Sequence, residues 1–266
     1  TPQVWALYKE VQDYYDKGMR VPDDVILLFC DDNWGNVRKL PDLTKPLHKG
    51  GYGIYYHFDY VGGPRNSKWI NISPIQRIWE QMNLSYEHKV DQLWVVNVGD
   101  LKPMEFPISF FLDMAWNPKQ FNSKNLLEYT EKWSAQQFGG KYAKEIARMI
   151  NLYTKYNRRV TPETLDSKTF SLNNYHEFET VLNDYRALAI DALRLKERIP
   201  AEYQDAYYQL VLYPIDACSN LYEMYYAVAK NRELAAKYDL KANYYADRVK
   251  ECFERNAYLD HKYNNE

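Results

Sequence analysis

Apolar residues Val4, Leu7, Tyr8, Val11 and Tyr15 recur at helical spacing, so the pattern predicts a helix over residues 2–15. Gly18 and Pro22 end it, and the uninterrupted run Val25–Cys30 reads as a strand buried on both faces. Residues 38–44 are irregular and punctuated by proline. A second strand is expected over residues 53–58, and Pro74 opens a helix with Ser73 as its cap and Ile75, Ile78, Trp79 and Met82 on one side. A third strand follows over residues 92–97, then a helical segment over residues 104–116. Helix and strand in this rhythm predict a parallel sheet with crossover helices.

The pattern changes near residue 123. Helices are expected over residues 125–138 and 141–158, followed by one marked by Phe178, Leu182, Tyr185, Ala189 and Ala192. Next, Tyr207, Val211, Pro214, Cys218, Leu221, Tyr225 and Val228 keep a 4-3 spacing, with a kink expected at Pro214. Tyr245, Val249, Cys252 and Leu259 mark the last helix. The expected organisation is therefore an α/β unit over residues 1–122 and an all-α helical bundle over residues 123–266. The 4-3 stripe suits a bundle core or a seam between two copies of the chain.

Composition narrows the chemistry. The 266 residues suffice for two packing units, and 34 Lys plus Arg against 36 Asp plus Glu argue against a nucleic-acid surface. The longest apolar run is six residues, too short for a membrane span. Only 10 glycines accompany 26 tyrosines, 10 phenylalanines and 7 tryptophans, a balance suited to half-buried helix faces and to stacking on ring-shaped ligands. Cys30, Cys218 and Cys252 are too few and too scattered for a zinc site or a disulfide framework, and are expected as buried thiols. The chain starts at Thr1 without a leader and reads as a piece of something longer.

Candidate chemistry gathers after the strands, where ligands bind in parallel α/β folds. The first strand runs into Asp31-Asp32-Asn33-Trp34-Gly35-Asn36; the second carries Tyr55 and His57 and leads to Asp59-Tyr60; the third ends in Asn97. Asp31 and Asp32 suit either catalysis or turn capping, and Trp34 either core or a stacking wall for a sugar. His57-Phe58-Asp59 resembles a metal pair, but no third histidine lies near, so no metal and no cofactor are expected. His48, His88, His176 and His261 read as solvated. Helical spacing puts Glu10 on a stripe with Leu7 and Tyr14, where it is either a surface residue or a carboxylic acid tuned by apolar neighbours. There is no dinucleotide fingerprint, Walker motif or Gly-x-Ser-x-Gly elbow.

Five segments carry a resemblance: Tyr8-Lys-Glu-Val11, Val21-Pro-Asp-Asp24, Cys30-Asp-Asp-Asn-Trp-Gly-Asn36, residues 51–63 and Asn97-Val-Gly-Asp-Leu-Lys102. Together they resemble the family 115 glycoside hydrolases, xylan α-1,2-glucuronidases acting on glucuronic acid or its 4-O-methyl ether. The resemblance implies the later part of a TIM-like barrel followed by a helical domain. It implies inversion, with Glu10 matching the candidate catalytic carboxylate and Asn33, Tyr55, His57, Tyr60 and Asn97 lining the uronate pocket. Asp31 and Asp32 are reserve candidates for the second carboxylate, and Arg65 is the one arginine near these motifs that looks placed to hold a uronate. The implied partners are glucuronoxylan or its oligosaccharides, an upstream part of the same protein and a second copy of the chain. The implied location is secreted or periplasmic, and the 266 residues alone are expected to be inactive. A homologue that binds sugar without hydrolysing it, or a helical assembly module, are the rival expectations.

Overall fold

The computed structural model of the protein describes residues 1–265 and divides into two compact units, Thr1–Leu126 and Leu127–Glu266. The first is built on a four-stranded parallel sheet in sequential order: β1 (Gln3–Ala6), β2 (Val25–Cys30), β3 (Tyr52–His57) and β4 (Leu93–Asn97). Helices α1 (Glu10–Asp16), α2 (Ile75–Glu87) and α3 (Glu105–Trp116) accompany it. The all-hydrophobic β2 is buried at nearly every position, as its lack of alternation predicts.

The helix expected over residues 2–15 is not formed. Gln3–Ala6 is instead an edge strand paired with Val25–Leu28, and α1 starts only at Glu10, after Lys9 at φ 50°. Four residues are too few for a period to declare itself, and parallel pairing with β2 decides the conformation. The stripe joining Leu7, Glu10 and Tyr14 therefore does not exist: Leu7 is buried, whereas Glu10 and Tyr14 are exposed. Ser73 makes no cap hydrogen bond; Pro74 is the residue preceding α2.

The sheet core is Leu27, Phe29, Ile54, Tyr56 and Phe58, covered by Ile75, Ile78 and Met82 of α2 and by Phe106, Phe110, Phe111 and Met114 of α3. Gly53 allows the strands to close. A Cβ there would lie 2.6 Å from the Leu93 carbonyl oxygen and 2.9 Å from Leu28 Cδ1. Gly53→Ala is therefore expected to cost about 3 kcal/mol, the upper end for overpacking, because the nearest atom is backbone and cannot turn away. Urea unfolding of the variant alongside the parent checks this, and an unchanged midpoint would refute it.

In the second unit the described residues are helical or irregular, with no strand. Its helices are α4 (Leu126–Phe138), α5 (Ala143–Arg159), α6 (Glu177–Lys196), α7 (Gln204–Tyr207), α8 (Tyr213–Ala235) and α9 (Lys241–Asn265). Just before Pro214, where a kink is expected, the chain makes a π-helical turn, Tyr208–Leu212, between α7 and α8. Proline has no N–H to return to the preceding turn, and the widened turn absorbs that loss. Tyr207, Val211, Pro214 and Cys218 of the 4-3 stripe are buried inside this unit. Three buried polar tips are satisfied locally: Tyr185 donates to Asn157 Oδ1, Tyr207 donates to the Ala192 carbonyl at 2.9 Å, and Asn220 donates to the Cys252 carbonyl at 2.8 Å. The three cysteines are free and buried, and burial pushes the Cys218 thiol up to about 12.

Candidate active site

The strand ends supply the polar residues, and sheet register brings them together. Cys30 of β2 lies opposite Tyr55 of β3, and His57 opposite Asn97 of β4. One residue past β2, Asp31 therefore meets the end of β3. Its Oδ1 lies 2.6 Å from His57 Nδ1, and its Oδ2 accepts from the His57 backbone N–H at 3.1 Å and from the Tyr60 hydroxyl at 2.6 Å. The Asp31 side chain is fully covered and that of His57 is 5% exposed. Burial pushes the Asp31 carboxyl above its ordinary value, opposed by the hydrogen bonds from His57 and Tyr60. Desolvation, with the neighbouring Asp31 charge, also drives the Cys30 thiol up to about 12, which removes it as a nucleophile at neutral pH.

Because a carboxylate accepts and does not donate, Asp31 assigns the proton to His57 Nδ1. Nε2 is then the ring atom left for a ligand, and it has no protein partner among the described residues. Three tyrosines frame the imidazole, with ring centroids at 4.3 Å for Tyr55, 5.4 Å for Tyr60 and 5.7 Å for Tyr8. Tyr55 is half-buried and its hydroxyl is pushed up, chiefly by burial.

Tyr8 was not among the expected site residues. Its signal was its place two residues before Glu10 in the Tyr8–Val11 segment, but its partner lies 49 positions away, beyond the reach of any local pattern. Glu10 itself is exposed and opens α1, so a short backbone path links it to the ring that stacks on His57.

The loop after β2 has its own internal frame. Asp32 Oδ1 accepts from the backbone N–H groups of Trp34 and Asn36, and Oδ2 accepts from the Asn36 side chain. Such a turn fixes the loop and commits both oxygens of Asp32. Asn33 donates to the carbonyl of Arg65, whose residue is buried, at 3.0 Å. Trp34 is 45% exposed and thus not core. Asn97, half-buried, accepts from the Gly99 N–H at 3.2 Å through its side-chain oxygen and keeps its amide donors. Among the described residues no three His, Cys, Asp or Glu side chains are placed to hold a metal ion. The strand ends present aromatic faces, amide groups and a tautomer-fixed imidazole, with Glu10 two residues along the chain from the stacked Tyr8, a set suited to a polar ring-shaped ligand.

Comparison with known proteins agrees with this chemistry. The model of "Glycosyl hydrolase family 115" matches residues 1–164. A solved structure described as "a novel family GH115 4-O-Methyl-alpha-glucuronidase, BtGH115A, with specificity for decorated arabinogalactans" is similar at a TM-score of 0.85 and 29% identity. The match covers 99% of this chain and 35% of that one. No curated protein matches. The family match spans more than half of the chain and includes every site residue described above, so this chain belongs to glycosyl hydrolase family 115.

Proposed function

We propose that the first unit carries the strand-end half of a glycoside hydrolase site that removes α-1,2-linked glucuronic acid, or its 4-O-methyl ether, from xylan or xylo-oligosaccharides. The observation that carries this reading is the buried Asp31–His57–Tyr60 network, which leaves His57 Nε2 available. A uronate carboxylate is the natural partner for that nitrogen once it bears a proton, and a charge-assisted bond of this kind is roughly twice as strong as a neutral one. Tyr8, Tyr55 and Trp34 offer ring faces to the sugar, while Asn33, Tyr60 and Asn97 read its hydroxyls.

In this mechanism Glu10 is one member of an acid/base pair set far enough apart to admit a water, as inversion requires. Asp31 and Asp32 have both oxygens committed, one pair to His57 and Tyr60 and the other to the turn. They are therefore positioning residues in this reading, and the second carboxylate comes from a part of the protein beyond this chain. The sheet is read as part of a TIM-like barrel, and the 266 residues as lacking useful turnover by themselves, in line with the 35% share of the related structure. That relative's stated preference makes decorated arabinogalactan the rival polymer.

A polymeric substrate cannot cross a membrane, so this reading places the protein where the polymer is, secreted or periplasmic. Among the described residues no helix is long and apolar enough to span a bilayer. The decisive experiment compares uronic acid release by this chain and by a longer family 115 protein containing it, on glucuronoxylan oligosaccharides and on glucuronosylated arabinogalactan. Release from xylan oligosaccharides by the longer protein alone is expected. Comparable turnover by the 266 residues, or release only from arabinogalactan, would overturn the corresponding part.

A further inference from the structure

The long connection between β2 and β3, residues 31–51, contains no helix. A parallel crossover usually carries one, and its absence leaves space over the sheet. That space is a cavity of about 580 Å3 whose lining includes Tyr15, Arg20, Leu27, Lys39, Lys45 and Tyr52. The volume falls within the roughly 300–1,000 Å3 typical of small-molecule sites. Leu27 and Tyr52 are register partners at the start of β3, whereas Asp31 and His57 lie at the other end of the strands. The two sites are separate.

Charge pairing inside the cavity is specific. Lys39 holds Asp16, and Lys45 holds Asp42 at 3.1 Å. The Thr44 hydroxyl and Lys45 lower the Asp42 carboxyl to about 2, so it stays ionised. The ring of His48, expected as solvated, is half-buried with Nε2 2.7 Å from the Val25 carbonyl oxygen. Arg20 is the cation lining this cavity that no carboxylate neutralises. Its Nη1 donates to the carbonyls of Tyr15 at 2.8 Å and Met19 at 2.7 Å, and its guanidinium lies 4.6 Å over the Tyr15 ring. Nε and Nη2 have no partner among the described residues. The planar fork is thus held in place with one edge open and a single positive charge to offer. This combination suits one carboxylate; a phosphate dianion would leave a charge unmatched.

We propose that this cavity is a second binding site, taking a hexuronic acid with its carboxylate on the Nε–Nη2 edge of Arg20. The paired Lys39–Asp16 and Lys45–Asp42 groups set donors beside acceptors, the requirement for sugar hydroxyls, which both give and take hydrogen bonds. The choice of sugar rests on the reading of the strand-end site; the carboxylate does not.

The test is calorimetric titration of sodium glucuronate into the 266-residue chain, with D-glucose and sodium acetate as controls, together with the NMR signal of the Arg20 side-chain Nε–H. Glucuronate is expected to shift that signal. Arg20→Gln should weaken this binding about tenfold or more, and Arg20→Lys should recover only part of it because the fork is gone. His57→Gln, which alters the strand-end site, should leave the glucuronate-induced shift of the Arg20 Nε–H signal intact. An Nε–H signal that stays still at saturating glucuronate overturns the site without any variant having to fold. Undiminished binding by Arg20→Gln does the same. Acetate binding as tightly as glucuronate would refute the sugar. Calorimetric binding lost entirely in His57→Gln, with an Arg20 Nε–H signal that stays still, would leave the strand-end reading standing while this proposal fails; an Nε–H shift that persists while His57→Gln leaves the calorimetric binding unchanged is the reverse.

Discussion

Asp31→Asn is expected to destabilise the protein by about 1–3 kcal/mol and to weaken glucuronate binding at the strand ends. The carboxylate accepts three hydrogen bonds, two from His57 and one from Tyr60, in a position with no exposure. An amide has one oxygen, so at least one of those donors loses its acceptor, and an unsatisfied buried group costs about that much. The new NH2 group also faces His57 Nδ1. It would donate there and hold the ring neutral with its proton on Nε2, so a uronate carboxylate would lose the charge-assisted bond of the doubly protonated ring that the Asp31 carboxylate supports. Asp31→Leu, which leaves all three donors unpaired, should cost more, about 3–5 kcal/mol.

The pH dependence gives an independent sign. Burial raises the folded-state pKa of Asp31 above its ordinary 3.8, so the folded protein holds this proton more tightly than the unfolded chain does. The stability this contributes is complete below 3.8 and is lost as pH rises through the folded value. The stability difference between parent and Asp31→Asn should therefore shrink from pH 4 to pH 7. Urea unfolding at the two pH values measures it, and parallel pH curves would show that Asp31 does not titrate in this way.

Glu10→Gln should instead leave folding nearly untouched and remove turnover. Glu10 is exposed and makes no side-chain hydrogen bond or ion pair among the described residues, so its stability effect should stay within about 0.5 kcal/mol, apart from the small loss of a negative charge at a helix N-terminus. In a longer family 115 protein carrying these residues, loss of a general acid or base lowers kcat by about 10²–10⁴ while glucuronate affinity persists. Substrates with an activated aryl leaving group then separate the two roles. If Glu10 is the acid they restore rate, because such a group departs without a proton; if it is the base they do not. Full turnover of the variant on natural oligosaccharides would remove Glu10 from the mechanism.

The sequence by itself determined β2 and β3, because strands buried at nearly every position must be written in nearly unbroken hydrophobic residues, and β4, whose apolar run Leu93–Val96 is half-buried. It also determined α5, whose buried Ile146, Ile150, Tyr153 and Asn157 fall on one helical face, and the change to an all-helical second unit. The clustering of Asp, Asn, His and Tyr at strand ends followed from the same pattern, since polar residues that end a buried strand need a common place to go. Tertiary structure alone decided the rest. Gln3–Ala6 became a strand because β2 offered a parallel edge, a contact more than 20 positions distant that outweighs the helical spacing of four residues. Asp31 became the acceptor for His57 and Tyr60, and Tyr8 the ring stacked upon His57, because register between neighbouring strands sets which side chains meet. Local sequence writes hydrophobicity and period; it does not write register, and in this protein register builds the site.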